Sequence, residues 1–276
     1  MKQMKIDARV KLNNGIEMPV FGLGVYQMVS GKETREAVLY ALEIGYRLID
    51  TASMYGNEKD VGEAIRKSGI PREQIFVTTK LWNSDHGYDN ALSAFEKSLK
   101  RLGLSYIDLY LIHWPVEDKR IFTWKAFEKL LEQGKCRSIG VSNYMIQHLK
   151  ELFENSKTPP AVNQVEFSPY LYLEDLLRFC NSHDIRLESY SPLTKRHKLK
   201  DPKLVKIASD YSKTPAQILI RWALQKEVIV IPKSSNKKRI SENASVFDFA
   251  ISEEDMKKLD SFNQNLHTSW DPSAAP

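Results

Sequence analysis

The chain has 276 residues, of which 42% are hydrophobic and 10% aromatic, and this composition excludes a disordered protein. Its two cysteines, Cys136 and Cys180, show no CxxC spacing, which excludes a disulfide framework and suits a reducing compartment. The formal net charge is +5, but 40 basic and 35 acidic residues are interspersed and accompany no nucleic-acid motif. No apolar run reaches membrane-spanning length and the N-terminus lacks a signal-peptide pattern, so we expect a soluble, cytoplasmic protein that binds neither nucleic acid nor a membrane.

The first predicted element is a β-hairpin. Asn13-Asn14-Gly15 separates two alternating runs, residues 10–12 and 16–18, and an Asn-Gly pair favours a tight hairpin turn. Beyond the hairpin, short apolar runs alternate with amphipathic helical patterns at the spacing of about thirty residues that a βαβ unit requires. The apolar runs are 20–24, 48–49, 75–79, 107–112, 138–141, 161–165, 186–190 and 228–231, and clear helical patterns cover 91–102, 123–133 and 171–183.

Eight strands that alternate with helices predict an α/β fold, a (β/α)8 TIM barrel with an N-terminal β-hairpin and a short C-terminal tail. No linker or change in composition divides the chain, so we expect one domain over residues 1–276. The alternative is a doubly wound open sheet. It is disfavoured because Gly22-Leu23-Gly24 is a lone GxG rather than a complete GxGxxG after a strand.

Titratable side chains follow three consecutive apolar runs, where barrel enzymes place their chemistry. The second run gives Asp50 and then Tyr55, the third gives Lys80, and the fourth gives His113. A lysine ammonium beside a tyrosine favours the phenolate and lowers a pKa that is ordinarily about 10, while an Asp keeps the lysine charged. A neutral imidazole can orient a carbonyl oxygen. We therefore predict that Tyr55 is the proton donor and that Lys80 lowers its pKa. We also predict that Asp50 is the counter-ion of Lys80 and that His113 orients the carbonyl oxygen of the substrate.

Each of these residues also has a structural explanation. Asp50 and Lys80 are compatible with a purely structural ion pair, and a lone histidine at a strand end is more often a satisfied core residue. Packing alone is a poor explanation for all four at the strand ends of one barrel. The set therefore favours an enzyme.

A phosphate site is predicted after the eighth run. Ser234-Ser235-Asn236 can cap a helix that starts at Lys237, and a helix N-terminus after the eighth strand is where barrels bind phosphate. Lys233 and Arg239 add positive charge, and Arg239 is capable of a bidentate contact.

Seven sequence motifs, spread through essentially the whole chain, carry a resemblance to a known family. They are Gly45-Tyr46-Arg47-Leu48-Ile49-Asp50-Thr51-Ala52, Tyr55-Gly56-Asn57-Glu58, Thr78-Thr79-Lys80-Leu81-Trp82, Leu109-Tyr110-Leu111-Ile112-His113-Trp114-Pro115, Ile139-Gly140-Val141-Ser142-Asn143, Asn163-Gln164-Val165-Glu166 and Ile231-Pro232-Lys233-Ser234. In this order the motifs resemble the aldo-keto reductase family. The branch that the sequence resembles most is a microbial one, with methylglyoxal reductases, 2,5-diketogluconate reductases and protozoan prostaglandin F synthases.

The resemblance implies NADPH-dependent reduction of aldehydes and ketones, with small aldehydes, α-dicarbonyls and keto-sugars as candidate substrates and no metal ion. It assigns the four catalytic residues the roles given above. It also implies a substrate pocket walled by aromatic and catalytic side chains: Tyr26, Tyr55, Trp82, His113 and Trp114. The residues implied to hold NADPH or NADP+ are Gly24, Asp50, Ser142, Asn143, Gln164, Tyr190, Ser191, Pro192, Leu193, Lys233, Ser234, Arg239 and Asn243.

Two features depart from the family pattern. A glycine-containing loop often follows the motif at Pro192-Leu193, whereas this chain continues with residues 194–198, Thr-Lys-Arg-His-Lys. The tail after Phe262 is short, whereas the tail of the family's longer members shapes substrate choice, so we expect it to supply few contacts to a substrate, with Trp270 as the only large one. The family default is a monomer. The alternative function is a nucleotide-binding structural or redox-sensing protein of the same fold with little turnover.

Overall fold

The structure, a computed structural model, describes residues 5–275 of the chain. Its strands are β1 (Arg9–Lys11), β2 (Glu17–Pro19), β3 (Leu23–Gly24), β4 (Leu48–Asp50), β5 (Phe76–Leu81), β6 (Ile107–Ile112), β7 (Cys136–Ser142), β8 (Val162–Glu166), β9 (Arg186–Tyr190) and β10 (Ile229–Val230). Its α-helices are α1 (Lys32–Glu43), α2 (Glu58–Lys67), α3 (Tyr88–Leu102), α4 (Arg120–Glu132), α5 (Ile146–Asn155), α6 (Glu174–Ser182), α7 (Pro202–Asp210), α8 (Pro215–Gln225), α9 (Lys237–Ala244) and α10 (Glu253–Asp260).

Strands β3 to β10 form a single parallel sheet in chain order. The first and last strands also meet, because Phe21 pairs with Val230 and Gly24 pairs with Lys233 in parallel bridges. The backbone N–H of Gly22 donates to the Val230 carbonyl at 2.9 Å. The sheet is therefore closed, which confirms the predicted (β/α)8 barrel, and the alternative of an open doubly wound sheet is wrong.

The barrel strands are buried on both faces, as expected of a parallel sheet covered by helices. Every residue of β5 and β6 is buried. Because side chains alternate along a strand, every second residue points into the barrel. The lower interior is an apolar cluster that includes Leu12 and Met18 of the antiparallel hairpin β1–β2. The predicted hairpin is thus confirmed, and it plugs the N-terminal end of the barrel. The buried barrel residues of this cluster are Leu48, Phe76, Leu109, Leu111, Ala161, Val162, Ile229 and Ile231.

One predicted helix starts later than its pattern suggested. The helical pattern covers residues 171–183, but the helix itself begins at Glu174. The reason is that Ser168 and Leu171 form an antiparallel bridge through two backbone hydrogen bonds. Those bonds hold Leu171 in a turn, so its apolar side chain is buried without belonging to the helix. Within residues 5–275, no helix combines the length and apolar character needed to cross a membrane.

Helix α2 packs closely on the end of α3 because position 62 has no side chain. A Cβ atom added at Gly62 would lie 1.8 Å from the Leu102 carbonyl oxygen. Gly62→Ala is expected to destabilise the protein by up to about 2 kcal/mol, because a clash with a backbone carbonyl lies at the upper end of the roughly 1–3 kcal/mol that overpacking costs, and alanine regains only about 1 kcal/mol of helix propensity. Urea unfolding measures this. Lys59→Ala, an exposed change in the same helix, is the control and should have little effect; a Gly62→Ala variant as stable as the control would contradict the prediction.

Candidate active site

A buried ion pair lies at the upper end of the barrel. Asp50 ends β4 and Lys80 lies near the end of β5, each an even number of residues after an inward-facing apolar side chain of the interior cluster. Lys80 Nζ donates to Asp50 Oδ1 at 2.6 Å and to Oδ2 at 2.8 Å. It also donates to the Thr51 carbonyl oxygen at 2.9 Å. Lys80 is fully buried and Asp50 is 3% exposed, so the two charges face each other away from bulk water.

The hydroxyl of Tyr55 is the next polar group above this pair. Tyr55 ends the short 3₁₀ helix Ser53–Tyr55, and Gly56 follows with φ of +69°, a left-handed conformation that favours glycine. Lys80 Nζ lies 3.4 Å from the Tyr55 hydroxyl oxygen. The Tyr55 ring lies 5.0 Å from the ring of Tyr26 and 5.7 Å from that of His113. The predicted partners of Tyr55 are therefore brought together.

The expected lowering of the tyrosine pKa is not observed. Burial, followed by the negative charge of Asp50, raises the pKa of Tyr55 well above its ordinary value. Burial is the main cause, and Lys80 does not offset it, because its short hydrogen bonds go to Asp50 and to the Thr51 carbonyl, whereas its contact with Tyr55 is long. Tyr55 is consequently protonated in this structure, which is the state that a proton donor requires.

His113 follows β6 and lies in an aromatic enclosure. Its ring makes edge contacts with Tyr55 and Trp82 and stacks on Trp114 at 6.3 Å. Burial, and then the charge of Lys80, holds the pKa of His113 well below its usual range, so the imidazole is neutral. In the part of the chain that the structure describes, His113 Nδ1 has no hydrogen-bond partner. A neutral ring suits the predicted role of an orienter.

A layer of amide and hydroxyl groups spans β7, β8 and β9 beside the catalytic set. Ser142 Oγ donates to the Gln164 carbonyl oxygen at 2.8 Å. Asn143, with φ of +63°, donates through Nδ2 to the His113 carbonyl oxygen and to Ser142 Oγ. The Tyr190 hydroxyl donates to Asn143 Oδ1 at 2.8 Å. Hydrogen bonds thus link these residues, which were predicted to hold the nicotinamide end of a cofactor, to one another. They also link them to the His113 carbonyl oxygen, which follows β6.

A second buried carboxyl, on Glu188 of β9, adjoins this layer. Gln164 Nε2 donates to Asp50 Oδ2 at 2.8 Å and to Glu188 Oε2 at 2.7 Å. Sequence reasoning missed Glu188. The available signal was a charged residue in the middle of a buried apolar run, at an even spacing from Tyr190 and hence on the inward face.

The predicted phosphate site lies at the start of α9. The Asn236 side chain caps this helix and accepts a hydrogen bond from the Arg239 backbone N–H. Of the three predicted capping residues, 234–236, Asn236 is therefore the one at the N-cap position. Lys233 and Arg239 are exposed, whereas Ser234 and Asn243 are buried. Within residues 5–275, the Arg239 guanidinium forms no ion pair or hydrogen bond, and Lys233 Nζ has one long bond of 3.3 Å to the Gln27 carbonyl oxygen.

The first barrel strand, β3, ends close to this helix. Gly24, at the end of β3, pairs with Lys233, and a Cβ atom there would lie 2.9 Å from the Ile231 carbonyl oxygen. Only glycine therefore allows β3 to approach the last strand so closely.

The segment after β9 has an unusual backbone. Ser191, Thr194, Lys195 and Arg196 all have positive φ, between 46° and 75°. A left-handed backbone conformation costs about 1–2 kcal/mol for each residue other than glycine. Pro192 is buried and Leu193 is half-buried between these positions. Where the family often has glycine, this chain thus adopts left-handed backbone with larger residues.

The C-terminal tail holds that segment in place. Lys195 Nζ donates to the Thr268 carbonyl oxygen at 2.6 Å and to Ser269 Oγ at 3.1 Å. The Glu166 carboxylate at the end of β8 accepts hydrogen bonds from the backbone N–H groups of Thr268 and Ser269, and from the Thr268 hydroxyl. These bonds attach the tail to the barrel, and the expectation that the tail supplies few contacts to a substrate stays a prediction.

The tail also forms part of the rim beside His113. The Trp270 ring packs edge-on against Trp114 with centroids 5.1 Å apart, and Trp270 remains 58% exposed. Tyr26 and Trp82 lie on the other side of Tyr55 and His113. The four aromatic residues around Tyr55 and His113 form a wall that is open to solvent.

The sequence model for the "Aldo/keto reductase family" matches residues 20–264 of the chain. The chain belongs to this family. The match covers all eight barrel strands of the reductase and the residues that form its buried Asp50–Lys80 pair.

Similar proteins agree with this assignment. The reductase is 50% identical over 263 residues to the glyoxal reductase of Bacillus subtilis, covering 95% of each chain. It is 50% identical over 266 residues to the 9,11-endoperoxide prostaglandin H2 reductase of Trypanosoma cruzi, covering 95% of this chain and 94% of that one. A solved aldo-keto reductase of Bombyx mori in complex with NADP superposes with a TM-score of 0.90 at 37% identity, over 96% of this chain and 95% of the other. The predicted family and its named branches are confirmed.

Proposed function

We propose that this protein is an NADPH-dependent reductase of aldehydes and ketones in which Tyr55 donates the proton. The observation that carries the proposal is the contact of the protonated Tyr55 hydroxyl with the buried ammonium of Lys80, which Asp50 holds in place. Beside it stands the neutral imidazole of His113. Family membership and the names of the relatives support carbonyl reduction.

The donor set of the site fits a nicotinamide cofactor. Gln164 uses both hydrogens of its amide nitrogen on carboxyl groups, so its Oε1 is left to accept from a carboxamide N–H. Ser142 and Asn143 lie beside it as further amide and hydroxyl partners, and Tyr190 offers a ring at the same strand ends. The segment Ser191 to Leu193 is proposed to line the pyrophosphate. Lys233, Ser234, Arg239 and Asn243 are proposed to surround the adenosine 2′-phosphate.

The proposed chemistry is divided between cofactor and protein. NADPH, when bound, supplies the hydride that reduces the carbonyl carbon. His113 orients the carbonyl oxygen through its neutral ring, and Tyr55 gives its proton to that oxygen as negative charge develops there. An alkoxide is far more basic than a phenolate, so a tyrosine with a raised pKa still transfers its proton at this point. The adjacent Lys80 ammonium then stabilises the phenolate that remains.

We propose small aldehydes and α-dicarbonyls as substrates. Trp82, Trp114 and Trp270 offer apolar surface around His113, and the exposed Trp270 and Tyr26 leave the rim open. Few side chains are placed to contact the distal part of a long ligand, so specificity depends on the carbonyl and its nearest atoms.

NADPH consumption against a carbonyl panel tests the proposal. The panel contains glyoxal, methylglyoxal, short aldehydes, keto-sugars and a bulky steroid ketone, each assayed with NADPH and with NADH. We expect turnover of the dicarbonyls and small aldehydes with NADPH. Turnover of none of them, or of the steroid alone, would contradict the proposal.

The choice of NADPH over NADH is predicted to depend on Arg239. A well-made charge-assisted hydrogen bond is worth about 1.5–3 kcal/mol, so Arg239→Ala should weaken NADPH binding by about 10- to 100-fold at low salt. NADH binding should hardly change, because NADH lacks the 2′-phosphate. Screening should shrink the difference as ionic strength rises. Both dissociation constants are measured by quenching of tryptophan fluorescence.

The control for Arg239→Ala is Lys257→Ala, which removes one exposed positive charge from α10. It should leave the ratio of the two dissociation constants at the wild-type value. Equal losses of NADPH and NADH affinity in Arg239→Ala would show that this residue holds something other than the 2′-phosphate.

A further inference from the structure

Glu188 is a fully buried carboxyl group with no role in the proposed reaction so far. It lies on β9, directly opposite Gln164 of β8 in the strand register, and opposite Ile229 of β10 on the other side. Like Tyr190 two residues later, it points into the barrel. It therefore lies one layer below the strand ends that carry the catalytic residues.

A single amide nitrogen joins Glu188 to the catalytic ion pair. Asp50 accepts two hydrogen bonds from Lys80 and, as a carboxylate, can only accept, so the Gln164 atom that faces it must be Nε2. The same nitrogen faces Glu188 Oε2 at 2.7 Å. Gln164 Nε2 thus donates one hydrogen bond to each carboxyl group, and Glu188 Oε2 accepts one of them.

The cluster contains two carboxyl groups and one cation. The hydrogen bonds of Lys80 go to Asp50, the Thr51 carbonyl and Tyr55. Among the described residues Glu188 has no ion-pair partner, and its Oε1 has no hydrogen-bond partner. A buried carboxylate oxygen without a donor is much more costly than a buried carboxylic acid.

The charge on Glu188 is therefore suppressed near neutral pH. Burial, followed by the negative charge of Asp50, raises the pKa of Glu188 to about 8. The titratable groups that face it are Asp50 from β4, Lys80 from β5 and Tyr55 from the loop after β4, while β8 and β10 contribute the non-titrating Gln164 and Ile229. At pH 7 the cluster holds one negative charge on Asp50 and one positive charge on Lys80.

We propose that Glu188 is a positioning residue that acts through Gln164 and Asp50: its neutral carboxyl permits proton donation by Tyr55, and its ionisation opposes it. The inference rests on the proposed function, because it assigns an alkaline limit to that reaction. Ionised Glu188 places a second negative charge beside Asp50, and both carboxylates then compete for the field of Lys80. The phenolate that Tyr55 becomes after proton transfer is destabilised accordingly.

The first measurement needs neither cofactor nor turnover. Protein with ¹³C-labelled glutamate carboxyl groups is titrated by NMR, and the spectrum of Glu188→Gln identifies the resonance of Glu188 by its absence. We expect that resonance to titrate near pH 8. Titration near the ordinary glutamate value of about 4.3 would overturn the inference, whether or not any carbonyl is reduced.

Stability offers a second measurement that is independent of activity. The folded-state pKa of Glu188 lies above its unfolded-state value, so its contribution to stability is complete below the unfolded pKa and is lost as pH rises through the folded pKa. The wild type should therefore lose stability relative to Glu188→Gln between about pH 5 and pH 8. A constant difference between the two proteins over this range would overturn the inference.

The rate of NADPH oxidation in a single turnover tests the link to Tyr55. A group with a pKa of about 8 is only about one-tenth neutral at pH 9, so the wild-type rate should fall about tenfold between pH 7 and pH 9. Glu188→Gln is permanently neutral and of the same size, and its rate should change less than about twofold over that range. A variant that kept the wild-type alkaline fall would assign the fall to another group and overturn the inference.

The matched control is Glu58→Gln. Glu58 is also buried, but unlike Glu188 it has an ion-pair partner, Arg101, and it accepts a hydrogen bond from the Thr79 hydroxyl. This variant should keep the alkaline fall of the wild type. Loss of the fall in both variants would mean that it reflects general weakening of the barrel, which would overturn the role of Glu188.

Discussion

Tyr55→Phe should reduce methylglyoxal about 10²- to 10⁴-fold more slowly than the wild type, the range that a positioned general acid contributes. The ring contacts of Tyr55 with Tyr26 and His113 do not involve the hydroxyl, so phenylalanine keeps them. The fold and the affinity for NADPH should therefore be nearly unchanged. Single-turnover oxidation of NADPH measures the rate, and tryptophan fluorescence measures the affinity.

A matched control for this prediction is Tyr106→Phe. Tyr106 lies immediately before β6, at the opposite end of that strand from His113, and its ring packs under Arg72. This variant should turn over like the wild type. A Tyr55→Phe protein that reduced every member of the panel at a wild-type rate would show that the proton comes from another group.

Lys80→Met should cost about 3–5 kcal/mol in the free energy of unfolding at pH 7, because it leaves the Asp50 carboxylate buried without a cation. It should also abolish most of the activity, since the phenolate of Tyr55 would lose its stabilising charge. Burial already raises the pKa of Asp50, and removing the two opposing bonds from Lys80 raises it further. Asp50 in the variant then becomes neutral as pH falls, so the stability deficit should shrink toward low pH. Urea unfolding at several pH values measures this.

The double variant Asp50→Asn/Lys80→Met separates charge from packing. It removes both ionic groups, so it should recover part of the stability that Lys80→Met loses, with a coupling energy of about 0.5–3 kcal/mol. Activity should not return with it. If the double variant were less stable than the sum of the two single changes, the ion pair would not be the source of the deficit.

The positions of the catalytic side chains were predictable because two simple rules combine in a barrel. Chemistry collects at the C-terminal strand ends, and alternation decides which side chains face inward. Asp50 and Lys80 satisfy both rules, and the structure joins them at 2.6 Å. His113 and Asn143 follow their strands and are likewise joined, by a bond to the His113 carbonyl oxygen.

Properties that depend on competition between partners were not predictable. The sequence places Lys80 near Tyr55, but it does not show that Asp50 and a backbone carbonyl take the short bonds of that lysine. The predicted direction of the Tyr55 pKa was wrong because burial and the charge of Asp50 outweigh this long contact with Lys80. Glu188 was missed because its importance depends on sharing one amide nitrogen with a carboxylate from a distant strand.

The attachment of the tail to the barrel was not predictable from the sequence. Its anchors are backbone N–H groups, which any residue carries, and they meet a carboxylate, Glu166, that lies at the end of β8. No side-chain pattern in the tail reports such bonds. The link through Lys195 was hidden in the same way, since its partner is a carbonyl oxygen.

Within residues 5–275, the β-hairpin covers the lower end of the barrel, opposite the end that carries the candidate active site. Leu12 and Met18 fill the lower end with apolar side chains, below the layer that holds Glu188 and the Asp50–Lys80 pair. We therefore expect water and protons to reach these buried acids from the upper end, where the proposed substrate also binds. A ligand bound at the upper end of the barrel should therefore slow the exchange of protons and water between these buried acids and the surrounding solution.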